Sequence, residues 1–317
     1  MSAVPSPPWQ SISETLCACG EAPFWHAREE RLYWLDAPLQ RIWRWHQPSG
    51  HAEHWDLPQA VTGMAPCRSG GLLLVMADGI YHVANWANTP MPLARLPLGA
   101  TDSVIRGGRC DPWGRYWLLQ RPASASGPSR GGTLYCLRTR STPNPPLIAV
   151  RRGLHDVLGW SSSPDGRSFV WCDPLAQEVE QATLSNPGLW PPELGMPITL
   201  NRFKRSAPGT PDTSTLAPAL DRPVGGAMDQ AGRYWAAIAG NGRVICIDPQ
   251  GHTVAEIAAP ALQPSGLCFG GPDMRTLFLT TARAHRSSEE LARYPLCGGV
   301  FCLTVDTPGL PTPVYWD

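Results

Sequence analysis

Catalysis and binding need polar side chains that converge, so the residues of this 317-residue chain are read first for types and spacings that could do chemistry. Gly127-Pro128-Ser129-Arg130-Gly131 has the spelling of a nucleophile elbow. That motif works on a strained strand-to-helix turn, whereas here it lies in a Ser/Gly/Pro-rich loop with no helical pattern after it. The eight histidines include no HExxH and no HxH. His51 and His54 are loop neighbours without a third ligand, which reads as a solvated surface. There is no Walker loop and no GxGxxG after a strand, so nucleotide chemistry has no support. What remains are four approach segments, each preceding a strongly patterned strand: Gly20-Glu21-Ala22-Pro23, Val104-Ile105-Arg106-Gly107-Gly108, Leu154-His155-Asp156-Val157 and Arg222-Pro223-Val224-Gly225.

The elements that must position these segments repeat along the chain. Asp111-Pro112-Trp113-Gly114-Arg115-Tyr116-Trp117 and Asp229-Gln230-Ala231-Gly232-Arg233-Tyr234-Trp235 are the same device, a tight turn feeding an aromatic-rich strand. Looser copies stand at Arg31–Trp34, Gly70–Leu74, Pro164–Phe169 and Pro272–Phe278. An Asp/Gly turn followed by alternating β-branched and aromatic residues is the grammar of antiparallel hairpins. Six copies, one per four-stranded blade, predict an all-β fold, a six-bladed β-propeller over residues 1–317 as a single domain. A β-sandwich is the alternative, because hairpins alone do not count sheets. Residues 122–132 and the proline-rich stretch 185–222 break the rhythm and are expected as loop insertions between strands. One short helical turn is expected at Ser287–Arg293, with Ser287 and Glu290 as a capping box. In a propeller, ligands sit where the innermost strands line the central channel, so the approach segments are where function should be sought.

Composition narrows the class. Glycine and proline, 31 and 35 residues, make up about a fifth of the chain, short of the roughly 25–30% that signals disorder. The 14 tryptophans and 43% apolar residues can fill a core. Charged residues are only 16%, and 26 basic against 26 acidic side chains leave no net field to draw the chain to nucleic acid or an anionic membrane. No run approaches the roughly 18 apolar residues that span a bilayer. Met1–Pro8 lacks the basic and apolar regions of a secretory leader. The expectation is a cytoplasmic protein with no nucleic-acid and no membrane partner. The ten cysteines, in contexts such as Tyr135-Cys136-Leu137, read as buried reduced thiols.

The first blade's Cys17-Ala18-Cys19-Gly20-Glu21-Ala22-Pro23-Phe24-Trp25 is followed by Arg31–Asp36 and Arg41–Trp45. Further on stand Gly108–Trp117, Trp160 with Ser163–Gly166, Asn241–Ile245, Cys268–Gly271, Thr281–Arg283 and Gly298–Phe301. Through these stretches the sequence resembles the regucalcin/gluconolactonase (senescence marker protein) family of six-bladed propellers over nearly its whole length. The resemblance implies one divalent cation (Ca, Mg, Zn or Mn) in the channel, held by a Glu, an Asn and an Asp. The cation acts as a Lewis acid on a lactone carbonyl and activates water, and the Asp serves as general base. Glu21 stands at the first ligand position, and Asp156 stands where the family has Asn, as an oxygen donor equally suited to a hard cation. Val224 stands at the Asp position and can neither coordinate nor accept a proton. The family's substrate-binding Arg and Asn read Val104 and Arg106 here.

The resemblance therefore makes Glu21 and Asp156 the expected metal-site residues and Arg106 the expected substrate-binding residue, with no catalytic base assigned. His155 could take a proton, but alternation turns the neighbour of a channel residue away from the channel. Two carboxylates without a cation are costly to bury, and a guanidinium is a forked donor matched to them. Arg106 is accordingly expected to replace the cation by pairing with Glu21 and Asp156. The alternative is an outward Arg106, with a weakly held cation on Glu21, Asp156 and water. The function implied is gluconolactonase-like hydrolysis of a sugar-acid or related small lactone, with altered or reduced metal-dependent chemistry. The alternative function is a non-hydrolytic propeller that binds a small organic anion through Arg106.

Overall fold

Each turn-plus-aromatic copy opens the second strand of an antiparallel sheet, and there are six such sheets. The computed structural model describes residues 9–97, 103–123, 131–138, 146–203 and 221–317. The short strand β1 (Gln10–Ser11) comes first. Blade 1 is β2 (Gly20–His26), β3 (Arg31–Asp36), β4 (Arg41–His46) and β5 (His51–Asp56). Blade 2 is β6 (Val61–Pro66), β7 (Leu72–Met76), β8 (Gly79–Val83) and β9 (Met91–Arg95). Blade 3 is β10 (Ser103–Arg106), β11 (Tyr116–Pro122), β12 (Gly132–Leu137) and β13 (Ile148–Leu154). Blade 4 is β14 (Leu158–Ser162), β15 (Ser168–Asp173) and β16 (Glu178–Ser185), with β17 (Glu193–Leu194) and β18 (Ile198–Arg202) both paired to β16. Blade 5 is β19 (Arg222–Met228), β20 (Tyr234–Ala239), β21 (Arg243–Ile247) and β22 (Thr253–Ala258). Blade 6 is β23 (Pro264–Gly270), β24 (Thr276–Thr281) and β25 (Val300–Thr304). β1 pairs with β25, Gln10 opposite Cys302, so the N-terminal strand completes the last blade and closes the ring. The chain is a six-bladed β-propeller.

Part of the proline-rich stretch 185–222 is built into blade 4 as β17 and β18. Its residues 204–220, residues 124–130 of the other expected insertion, and with them Ser129, lie outside the described residues.

The repeated turn owes its shape to one carboxylate. Asp111 Oδ1 accepts from the backbone N–H of Trp113 and of Arg115, both at 3.0 Å, while Oδ2 accepts from Arg115 Nε at 2.6 Å and Trp117 Nε1 at 2.8 Å. Asp229 makes the same four bonds to Ala231 N, Arg233 N, Arg233 Nε and Trp235 Nε1 at 2.8–3.0 Å. One buried acid thus ties the turn to the strand that follows, and charge-assisted bonds of this kind are the strong ones.

Aromatic residues fill the wedge between neighbouring blades. Between blades 3 and 4, Trp117, Trp160, Phe169 and Trp171 are buried together, and Trp160 stacks on Phe169 with ring centroids 4.0 Å apart. Burying side chains of this kind stabilises by roughly 1.5–3 kcal/mol each. Near the axis the innermost strands approach too closely for a Cβ: one on Gly63 would lie 2.5 Å from Gly107 Cα. All ten cysteines are free, eight of them buried. The expected helical turn is α1 (Ser288–Arg293), where the Ser287 hydroxyl accepts from Glu290 N–H at 3.1 Å. The Glu290 carboxylate lies toward Arg286 at 3.6 Å. Among the described residues no helix is long and apolar enough to cross a membrane.

Candidate functional site

In five blades the innermost strand carries a register shift near its first residue, at Glu21/Phe24, Val61/Gly63, Leu158/Ser161, Pro223/Gly225 and Pro264/Gly266. An extra residue at such a point bends the strand and re-aims side chains. The bends surround a cavity of about 830 Å³, well sized for a small molecule. Glu21, Arg106, Asp156 and Val224 all line it, together with Cys19 and Arg109. The four approach segments of the sequence therefore do meet in one place.

Arg106, the last residue of β10, reaches across from blade 3 to the loop that enters blade 4. Its Nε donates to both Asp156 oxygens at 3.1 Å, and its terminal nitrogen lies 3.1 Å from Oδ2. Asp156 Oδ1 also accepts from Val157 N–H at 3.0 Å. The Asp156 side chain is wholly buried, while Arg106 keeps 34% of its side chain exposed to the cavity side of the pair.

Glu21 departs from expectation. Among the described residues no ion pair within 4.0 Å joins it to Arg106; it accepts from the Cys19 thiol at 3.1 Å instead. The reason is local: Asp36 fixes Ala18 and Cys19 by accepting from both of their N–H groups, at 2.9 and 3.1 Å, and this presents the thiol to Glu21. Burial, reinforced by the Glu21 charge, pushes the Cys19 thiol well above its ordinary value, so it stays protonated. Val224 is the extra residue of the β19 bulge and packs on the apolar cluster between blades 5 and 6. His155 is not among the residues lining the cavity; its Nδ1 sits 3.1 Å from Asp173 Oδ2. Burial raises the Asp173 carboxyl from its ordinary range.

Sequence reasoning stopped one residue short of a fifth member. Arg109 donates to Pro23 O at 3.3 Å, Gly226 O at 3.1 Å and Leu267 O at 2.8 Å, which belong to blades 1, 5 and 6. Burial lowers its pKa. A lone cation next to two glycines at the end of an approach segment was the available signal.

Whether these residues fit a divalent ion can be judged from their donors. Among the described lining residues the carboxylates are Glu21 and Asp156. Asp156 is committed to Arg106 through both oxygens, and the third position is hydrocarbon. A hard cation takes about six or more oxygen ligands, so the pocket does not fit a three-ligand centre.

The comparisons place this geometry in a family. The model of the SMP-30/gluconolactonase/LRE-like region matches residues 19–283, and the chain belongs to that family, gluconolactonase-like lactone hydrolases by homology. It is 33% identical to the 6-deoxy-6-sulfogluconolactonase of Pseudomonas putida over 301 residues, 93% of this chain and 94% of the relative. It is 26% identical to regucalcin of Bos taurus over 305 residues, 94% of this chain and 95% of the relative. Among solved structures, a calcium-binding regucalcin from Agrobacterium tumefaciens matches with a TM-score of 0.83 at 20% identity, covering 99% of each chain, a likeness of fold.

Proposed function

We propose that this protein acts on a small sugar-acid lactone in the channel cavity without a divalent cation, the Arg106 guanidinium standing in for the metal. The observation that carries the reading is the Arg106–Asp156 pair, which aims a fixed positive charge at the cavity where the family has a cation. In this reading Asp156 holds the guanidinium in place, and Arg106 polarises the lactone carbonyl and stabilises the oxyanion that forms on attack. Glu21, the carboxylate that Arg106 leaves free, takes the proton of the attacking water. Water adds to the carbonyl carbon, the ring C–O bond breaks, and the departing alkoxide recovers a proton, giving the open acid. The Pseudomonas putida relative, named for a sulfonated gluconolactone, supports an anionic sugar lactone as the substrate class.

A second reading rests on Val224. The apolar residue at the family's general-base position favours a pocket that binds a sugar acid or other small organic anion through Arg106 and does not turn a lactone over. One assay separates the two. Neutral and anionic aldonolactones are incubated with the protein, and acid release is followed with chelator and with Ca, Mg, Zn or Mn. Ring opening indifferent to metal supports the first reading, and carboxylate binding with no ring opening supports the second. Turnover that requires added metal overturns both.

A further inference from the structure

The segment after β25 threads along the cavity and ends on blade 2. It starts at blade 5, where Leu310 N–H donates to Met228 O at 3.0 Å, and Leu310, Pro311, Thr312 and Pro313 then line the cavity. It reaches blade 2 where Tyr315 N–H donates to Pro66 O and Arg68 N–H to Tyr315 O, both at 2.8 Å, with Cys67 and Tyr315 in a parallel bridge. Asp317 accepts from Ser69 N–H at 3.0 Å and from the Ser69 hydroxyl. These backbone bonds bring Asp317 beside Cys67, and His82 of β8 completes the group. Its Nε2 lies 3.8 Å from Asp317 Oδ2, is buried, and has no hydrogen-bond partner. One ligand-type atom from each of Cys67, His82 and Asp317 lies within 4.8 Å of the others. None of the three lines the channel cavity.

We propose that Cys67, His82 and Asp317 form a divalent-metal site of the zinc class that staples the tail segment to blade 2 and so fixes part of the cavity wall. A thiolate with an imidazole and a carboxylate is a borderline-soft donor set, which selects zinc over calcium or magnesium. Three protein ligands leave the fourth tetrahedral position to water, and the Cys67 thiol releases its proton as the metal binds. The staple is distinct from any chemistry at Arg106: it stabilises the fold, and stoichiometric zinc in the purified protein would belong to it and not to the channel.

Cobalt(II) tests this, because cobalt in a zinc site shows a thiolate charge-transfer band in the near ultraviolet. Chelator-treated full-length protein titrated with cobalt is expected to develop that band at one metal per chain and to lose it on addition of zinc. Cys67→Ser abolishes the band. His82→Ala, at a side chain 31% exposed and so tolerant of change, weakens cobalt binding by at least about tenfold. A Glu21→Gln/Asp156→Asn protein, altered only in the channel, keeps both band and affinity. The proposal is overturned if the unaltered protein shows no band, leaving His82 and Asp317 as an ion pair only. It is overturned equally by undiminished binding in His82→Ala, or by a band that vanishes in the channel variant.

Discussion

Two arginine–aspartate pairs in this molecule use the same functional groups for opposite ends. Arg115–Asp111 closes a turn within seven residues, with side chains 2% and 0% exposed, and the acid has all its near donors in the same turn. Arg106–Asp156 joins residues from blades 3 and 4, and its acid is equally buried while its arginine faces the cavity. The difference is in what lies on the far side of the guanidinium. Arg115 lies over the rings of Trp113 and Trp117, at 5.2 and 5.6 Å, donates to Leu189 O at 3.2 Å, and is enclosed beyond the reach of a ligand. Arg106 has an open face. A paired charge becomes a structural bolt when it is enclosed and a binding group when one side is left to a pocket.

The same edit made in each pair should therefore act on different properties. Asp111→Asn leaves Arg115 charged and enclosed, and removing one partner of a buried pair costs about 3–5 kcal/mol, read as a drop in the denaturant midpoint. Asp156→Asn leaves Arg106 solvated by the cavity and should cost about 1 kcal/mol or less, while lactone turnover or anion binding falls by up to about 10²-fold as the guanidinium loses its position. Equal stability losses in the two variants would dissolve the distinction. Next in size is Arg106→Gln, which keeps an N–H donor for Asp156 but removes the charge. Loss of a group that stabilises a developing oxyanion costs about 10²–10³-fold in kcat, so kcat/KM measured on the responsive lactone should fall by that much, and the denaturant midpoint should fall too, because the wholly buried Asp156 carboxylate loses its counter-charge.

The pairs also differ in how far the sequence reveals them. The Asp111 and Asp229 turns could be read directly, because the carboxylate bonds that tie each turn to its strand lie within seven residues of chain, and six such signals were enough to count the blades. The gathering of Glu21, Arg106, Asp156 and Val224 could be reached from a resemblance to a family, since Glu21 and Val224 lie near the start of innermost strands, Asp156 just before one, and Arg106 at the end of another. Of the expected pairing of Arg106 with Glu21 and Asp156, the Asp156 half is present. The Glu21 half is not, since Glu21 accepts from the thiol of Cys19, whose backbone Asp36 holds. Arg109 escaped because its acceptors, Pro23, Gly226 and Leu267, are 86 to 158 residues away. The pairing of part of residues 185–222 into blade 4 as β17 and β18 was hidden by the prolines of that stretch, which signal loops wherever strands are also short.

Restoring the family's donors tests the comparison from the other side. Arg106→Asn with Val224→Asp frees Asp156 and returns a carboxylate to the β19 bulge, giving three carboxylates with Glu21. The double variant is expected to acquire stimulation of lactone turnover by an added divalent ion of about tenfold or more, removed by chelator, where the unaltered protein shows none. Each single change should fail to do so: Arg106→Asn alone still lacks the third donor, and Val224→Asp alone leaves Asp156 committed to the guanidinium. Metal stimulation already complete in Val224→Asp would mean that the Arg106–Asp156 pair gives way readily to a cation and is no bolt of either kind.

The smallest effect is expected at Cys19, a thiol that lines the cavity and donates to the Glu21 carboxylate. A cysteine 3.1 Å from Glu21 invites reading as a nucleophile with its base. The physics runs against it, since burial and the neighbouring negative charge both favour the neutral thiol, and it is the thiolate that attacks. Cys19→Ser keeps a donor of similar size for Glu21, so turnover should stay within about threefold of the unaltered protein, against the 10²–10⁴-fold that removal of a positioned acid–base group costs. Alkylation by iodoacetamide near neutral pH should likewise leave Cys19 largely unmodified, and peptide mapping by mass spectrometry reads this out. Rapid alkylation with loss of turnover, together with an inactive Cys19→Ser protein, would move the chemistry from the guanidinium to the thiol and reduce Arg106–Asp156 to a second structural bolt.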